Sequence, residues 1–398
     1  MRSLSPAARR SLWAMLGLGL VLRAVLAFKT YGVTYDIDSF AAVRDALDDS
    51  PLDVYSTVNG HPDNRWPYPP GFFPWILASS WLSDAGGAFH GWVQVPQILA
   101  DAGIAWLVQD HLGGRGASER TRLAAAGLVA LGPSFWIISG YHGQIDSLAI
   151  LCPVAALWHW ERAGPGTRRA IVAGALIGAG ACVKTVPGLL LLALLPSVRS
   201  RREAIALVAP AVALPLAALM PWLIADLDQT VESLRSHRAL PGFGGIGLIA
   251  QPELAAQWLH NDPKQLTGLS RFLLDRQQVL LLPALAPFAA LAFVRRLEPT
   301  VAAALLWTAL VVLNVGFAFQ YVVWALPFLL MAGHVRPVAI AQAGLLAPAA
   351  MLYWDPLGFS PTGLYVVLMV ATWCAAAAWL VALALRRARE PAARAAPS

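Results

Sequence analysis

Residues Ala204–Ile224 read AIALVAPAVALPLAALMPWLI, twenty-one positions without a charge, and Arg199, Arg201 and Arg202 stand just before them. About 20 apolar residues suffice for a helix to cross the hydrocarbon core of a bilayer. Apolar runs bounded by charge recur near 12–28, 92–109, 122–139, 146–160, 170–183, 186–198, 204–224, 277–294, 299–317, 320–333, 337–353 and 363–385. Several fall short of a straight span, which predicts broken or tilted helices among them. Composition agrees: of 398 residues, 58% are hydrophobic and 13% charged, with a mean hydropathy of +0.58. Soluble domains carry about 25% charged residues, and half that charge cannot cover a globule of this size with hydrated surface. A soluble enzyme, a disordered chain and a coiled coil are excluded. The expected fold is an all-α polytopic membrane protein of about twelve transmembrane helices.

Charge sets the topology. The excess of 29 Lys+Arg over 23 Asp+Glu reads as cytoplasmic loop charge under the positive-inside rule, with no nucleic-acid partner implied. Arginines cluster at 2–10, 115–122, 162–169, 199–202, 295–296, 336 and 386–394. Twelve crossings with both termini cytoplasmic put every cluster on one side. The segment 29–90, with eight aspartates, and the segment 226–275 then become extracytoplasmic loops, joined by short turns at 140–146, around Lys184 and at 353–362. Phe72–Leu82 is apolar, but a full crossing there would reverse every later cluster, so an interfacial or half-inserted helix is expected. Leu12–Phe28 lacks a small-residue cleavage site after it and reads as a first span that stays. Residues 1–385 form one membrane domain, and 386–398 a short basic cytoplasmic tail expected to be disordered. Cys152, Cys182 and Cys374 sit in apolar runs and read as small buried residues, not as a disulfide or metal site. High Ala, Arg, Gly and Pro usage with only three lysines suits a GC-rich bacterial genome and its cytoplasmic membrane.

The polar residues of so apolar a chain carry its chemistry. Tyr35-Asp36-Ile37-Asp38 follows the first span; two carboxylates at a membrane rim suit cation binding or general base catalysis, or are solvated acids, with Asp38 a cap for a helix over Ser39–Leu47. Trp66-Pro67-Tyr68-Pro69-Pro70-Gly71 is extended and rigid, an interface anchor or a stacking surface for a sugar or polyprenyl chain. Gly140-Tyr141-His142-Gly143-Gln144-Ile145-Asp146-Ser147 gathers an imidazole, an amide and an acid at the rim, where a capped helix start is the plainer reading. Lys184 lies between two short apolar runs, placed to hold a phosphate or to snorkel; for Arg23, inside the first span, snorkelling is expected. Arg235, His237 and Arg238 precede Pro241-Gly242-Phe243-Gly244-Gly245, a basic cluster and glycine-rich turn that fit an anionic headgroup or are an amphipathic helix and a plain turn. Gln320, Tyr321 and Trp324 open the tenth span, lining a cavity or forming an interface belt. No P-loop, HExxH, GxSxG or metal-spaced Cys/His pattern is present.

The order of these elements resembles the C-superfamily of integral membrane glycosyltransferases, which use polyprenyl-phosphate sugars. An acidic pair after span one, a YPP motif before an interfacial helix and Ile98-Leu99-Ala100-Asp101 come first; Gly140–Asp146, Lys184 with Pro187, Arg238-Ala239-Leu240-Pro241 and Gln320-Tyr321-Val322-Val323-Trp324 follow. Over roughly residues 10–330 the chain is similar to bacterial mannosyltransferases, to dolichyl-phosphate-glucose-dependent glucosyltransferases and to the GPI mannosyltransferase. The resemblance implies inverting transfer of a hexose, mannose foremost, to a lipid-linked or cell-envelope glycan acceptor on the extracytoplasmic face. Asp36 takes the place of the base, with Asp38 and Asp146 as further catalytic acids. Lys184, Arg235, His237 and Arg238 meet the donor phosphate; Tyr68, His142, Gln144, Gln320, Tyr321 and Trp324 meet substrate. The leaving group is a lipid monophosphate, so fixed cations suffice and neither cofactor nor divalent metal is expected. The longer arginine-glycine-acid signature of the eukaryotic glucosyltransferases is replaced here by Pro241-Gly242-Phe243-Gly244, so donor sugar identity does not transfer. A transporter or flippase is the rival class, and a non-catalytic assembly partner a second.

Overall fold

The computed structural model describes residues 4–59, 65–235, 241–355 and 358–390, and among these the regular structure is helical throughout. The chain divides into two compact units. The first holds the described residues up to Leu191 and from Val198 to Arg235; the second holds Leu192–Ser197 and the described residues from Pro241 onward. In the first unit, α1 (Pro6–Lys29) starts on Ser5, whose hydroxyl accepts from the Ala8 N–H, with Pro6 in the first turn. It is followed by α2 (Thr34–Asp49), α3 (Phe73–Ala85), α4 (Val95–Gly114), α5 (Glu119–Ala130), α6 (Asp146–Arg162), α7 (Thr167–Val183), α8 (Arg201–Ala225) and α9 (Leu227–Arg235). Ser118 and Ser200 cap α5 and α8 in the same way as Ser5 caps α1.

The helices of this unit pack in the order α8, α7, α6, α4, α5, α1, with the most extensive contact between α7 and α8. Close approach there rests on Gly174 and Gly178, four apart on α7 against Leu207, Pro210 and Leu214 of α8. Without water to drive association, small residues that let backbones meet are what hold such helices together. One end of the unit collects the arginines. Ser5 donates to Glu119 from its N–H at 2.6 Å and from its hydroxyl at 2.9 Å. Arg115 pairs with Glu161 at 3.2 Å, Arg162 with Asp110, and Arg169 with Glu203 at 2.5 Å. Residues 142–146 and Lys184 lie at the other ends of the same helices; the 17 residues of α6 alone separate Asp146 from Arg162 by about 25 Å.

The aspartate-rich segment folds over that second end. A cluster including Ile37, Phe40, Val43, Tyr55, Trp66, Phe72, Phe73 and Ile76 joins α2, α3 and the proline-rich stretch, which runs into a 3₁₀ turn at Pro70–Phe72. Asp36 and Asp38 are inside α2, not in a loop ahead of a helix. The helix begins at Thr34 with Val33 in the capping position and no side-chain cap, so Asp38 caps nothing.

Arg23 is also corrected. It does not snorkel: it is 1% exposed, because Asp101, Ser139 and the carbonyls of Gly19, Val129 and Ala130 satisfy its guanidinium inside the bundle. Cys152 and Cys182 are half-buried and Cys374 is exposed on an apolar helix, so none is the buried core residue expected.

The second unit contains α10 (Gln277–Val294), α11 (Pro299–Leu313), α12 (Val322–Met331), α13 (Val335–Tyr353) and α14 (Thr362–Arg389). α11 and α12 are buried almost all round, with Trp307 stacked on Phe328 at 4.8 Å. The glycine-rich turn after Pro241 is a packed turn. Trp258 donates to the Pro241 carbonyl at 2.5 Å and Tyr365 to the Phe243 carbonyl at 2.8 Å. Gly242 has a φ of 95° and backs onto Leu254. Arg386, Arg387 and Arg389 belong to the last turn of α14, so that part of the tail is ordered; residues 391–398 lie outside the described residues.

Each of the twelve apolar runs is helical over most of its length. Among the described residues, six helices are long and apolar enough to cross a membrane, which makes this a multi-pass membrane protein. The apolar helices Val186–Ser197, Pro299–Leu313 and Phe319–Met331 are shorter; a count of twelve crossings depends on them and on α4, α6 and α7, which are outside the six. A Cβ at Gly178 would stand 2.6 Å from the Pro210 carbonyl oxygen. Gly178→Leu is therefore expected to force α7 and α8 apart and cost about 1–3 kcal/mol, read as a lowered thermal midpoint in detergent.

Candidate active site

The turn that follows α5 sets up the site. Ile137–His142 is a single π-helical stretch, closed by Gly143 at a φ of 89°. The extra residue it contains lets α6 restart at Asp146 after the chain has presented His142 and Gln144 sideways. Both point at the same carboxylate. His142 Nε2 lies 2.6 Å from Asp36 Oδ2, and the Gln144 amide donates to Asp36 Oδ1. With Asp36 ionised, Nε2 carries the hydrogen and donates it. The other end of the Gln144 amide accepts from Lys184 Nζ at 3.3 Å. Lys184 in turn donates to Asp146 Oδ2 at 2.8 Å. The order Asp36, Gln144, Lys184, Asp146 thus alternates acceptor and donor, and opposed charges fix the orientation of the amide.

Lys184 also lies over the Tyr68 ring, 4.5 Å from its centroid, a cation–π contact strengthened by exclusion of water. Tyr68 is held from behind. Tyr55 donates to its carbonyl at 2.8 Å, and Asn59 brackets the neighbouring Trp66 through both its carbonyl and its N–H. Burial raises the Tyr68 phenol well above its ordinary value, and the carboxylates of Asp146 and Asp36 add to the rise. Gly71 allows this approach: a Cβ there would be 2.5 Å from the Cys182 carbonyl, two residues before Lys184.

The remaining expected residues are placed differently. Asp38 faces the exposed rim and accepts from Tyr31 at 2.7 Å. That hydrogen bond is the main reason the Tyr31 phenol is raised. Asp146 is fully buried against Lys184. Arg235 ends α9 and is exposed; His237 and Arg238 lie outside the described residues. Gln320, Tyr321 and Trp324 belong to the second unit, where Tyr321 stacks on Trp324 at 4.1 Å. Among the described residues, no group of three or more His, Cys, Asp or Glu gathers to hold a metal ion. Sequence reasoning missed Gln97, which donates to the Gly143 carbonyl at 3.1 Å, and Tyr31. The available signal for the first was the spacing of Gln97 and Asp101, four apart on one face in the apolar first half of α4.

One end of the helical bundle thus holds a carboxylate that could take a proton and a cation that could meet an anion. A family model described as Glycosyltransferase family 87 matches residues 66–315, more than half of the chain, and the chain belongs to that family. It is therefore a membrane glycosyltransferase, which decides the class against a transporter. The matched region contains Tyr68, His142, Gln144, Asp146 and Lys184, while Asp36 precedes it. Among solved structures, ArnT from Cupriavidus metallidurans in the apo state is similar at 16% identity, covering 96% of this chain and 76% of that one, with a TM-score of 0.49. The archaeal oligosaccharyltransferase AglB from Archaeoglobus fulgidus, in complex with an inhibitory peptide and a dolichol-phosphate, is similar at 12% identity, covering 98% and 57%, with a TM-score of 0.42. No curated protein matches the chain.

Removing one member of a buried ion pair leaves the other charge uncompensated. Lys184→Met is expected to cost about 3–5 kcal/mol. Lys184→Met combined with Asp146→Leu is expected to recover most of that loss, both measured by thermal unfolding in detergent.

Proposed function

We propose that the chain catalyses inverting transfer of a hexose, mannose in the first instance, from a polyprenyl-phosphate donor to a glycolipid or glycan acceptor, with Asp36 as the general base. The reading places the site on the extracytoplasmic face of a bacterial cytoplasmic membrane, with both termini cytoplasmic. The observation that supports it most is the state of Asp36. Each of its oxygens accepts one hydrogen bond, from His142 and from Gln144, and the side chain keeps 15% exposure. A carboxylate offers about four lone-pair sites, so an acceptor hydroxyl can still reach it.

The reaction balances without a covalent intermediate. The acceptor hydroxyl gives its proton to Asp36 as its oxygen attacks the anomeric carbon. The bond from that carbon to the phosphate oxygen breaks, and the lipid phosphate leaves with the electron pair. One displacement inverts the configuration. Between the two acids of the Tyr35–Ser39 stretch, Asp36 is favoured over Asp38, because His142 and Gln144 fix its carboxylate in direction, whereas Asp38 meets Tyr31 at the exposed rim. Lys184 spends donors on Asp146 and Gln144 and has a further N–H for a phosphate oxygen. Asp146 then serves as the anchor of Lys184, and no divalent metal is required.

Purified protein in liposomes, given radiolabelled polyprenyl-phosphate mannose and a membrane lipid extract, tests this. Asp36→Asn keeps the shape but loses the base, and transfer is expected to fall by about 10²–10⁴-fold with insertion unchanged. Near-normal turnover in that variant would refute the assignment, and a product formed only from another labelled donor would replace the sugar.

A further inference from the structure

Three buried side chains that cannot touch substrate converge on the turn carrying His142 and Gln144. At its start, the Ser139 hydroxyl lies 2.5 Å from Asp101 Oδ2 and 2.9 Å from the Phe135 carbonyl, and it accepts from Arg23 Nε at 3.1 Å. At its end, the Gly143 carbonyl accepts from Gln97 at 3.1 Å. Asp101 and Gln97 are four residues apart on α4, so they form adjacent posts on one helix face. Arg23 completes the frame. It donates to Asp101 at 2.8 Å and to the Val129 and Ala130 carbonyls, which lie in the last turn of α5 and have no helical partner. Gly140 lets α1 come close, since a Cβ there would be 2.9 Å from the Arg23 Cα.

The turn itself is the reason such a frame matters. Its backbone closes with Gly143 N–H and Gln144 N–H both directed at the Ile138 carbonyl, at 3.0 and 3.2 Å. Ordinary α-helical pairing would remove the additional residue and rotate all that follows by about 100°, carrying His142 away from Asp36. A π turn is less favourable than α-helix and persists where its surroundings enforce it. Holding helices together does not need an ion pair at this depth, because apolar residues of similar volume do that as well or better, and charge in a membrane span is expensive. What the polar set adds is direction at both ends of one turn.

We propose that Arg23, Asp101 and Gln97 are positioning residues, a buried clamp that fixes the register of His142 and Gln144 against Asp36. The inference rests on the reading of Asp36 as the base. Two variants test it in the full-length protein: Arg23→Leu/Asp101→Leu, which removes the pair without stranding a charge, and Gln97→Leu, which removes a neutral anchor. In each, kcat for transfer from polyprenyl-phosphate mannose is expected to fall by about 10²-fold, the scale of a misplaced catalytic group, with the donor KM and the thermal midpoint in detergent unchanged. Amide hydrogen exchange in the peptide covering 137–144 is expected to quicken while that of α7 stays constant. Full kcat, or unchanged exchange over 137–144, in a variant that melts like wild type overturns the clamp. If the double variant fails to fold, Gln97→Leu decides. If Asp36→Asn proves active, the base assignment fails, and the exchange measurement still judges the clamp on its own.

Discussion

Asp146 opens α6 and Lys184 closes the neighbouring α7 as its C-cap residue, so each stands at the helix end whose dipole favours its charge. They are also each other's counterion at 2.8 Å. This double complementarity makes two buried charges tolerable in a lipid-facing bundle, where neither water nor screening salt would compensate them. The surroundings of the site then follow. Tyr68 can approach Lys184 from the capping segment, the Gln144 amide is turned with its oxygen to the ammonium, and its nitrogen is left to face Asp36.

The first unit keeps its two kinds of polar chemistry at opposite ends of the same helices. At one end, arginines and acids meet across helix termini, in pairs such as Arg115 with Glu161 and Arg169 with Glu203. At the other end the charges are few and each is bonded in a fixed direction. The apolar middle is interrupted at Arg23 and Asp101, and there the guanidinium finds its acceptors on α1 itself, on the end of α5, on the π turn and on α4. Five donors in one plane suit this junction in a way an ammonium would not.

The class of fold was legible in the sequence because scarcity of charge is a property of composition, and because arginine clusters mark helix ends whatever the helices pack against. Asp36, His142, Gln144, Asp146 and Lys184 stood out for the same reason. Their mutual contacts did not, since Asp36 meets His142 and Gln144 across 106 and 108 positions of chain. His142 and Gln144 read as groups for substrate and turn out to hold the carboxylate. Arg23 was misread because snorkelling and burial look alike until Asp101 and Ser139 are seen beside it, 78 and 116 positions away. The start of α2 was misplaced because Val33 gives no capping signal.

The Lys184–Asp146 pair carries no net charge. A lipid phosphate arriving beside it would meet a preset dipole and a few aimed donors instead of a positive field. Attraction of that kind acts over the length of a hydrogen bond and leaves mobile ions little to screen. The binding step at this spot would then be selective for shape and orientation and nearly indifferent to ionic strength.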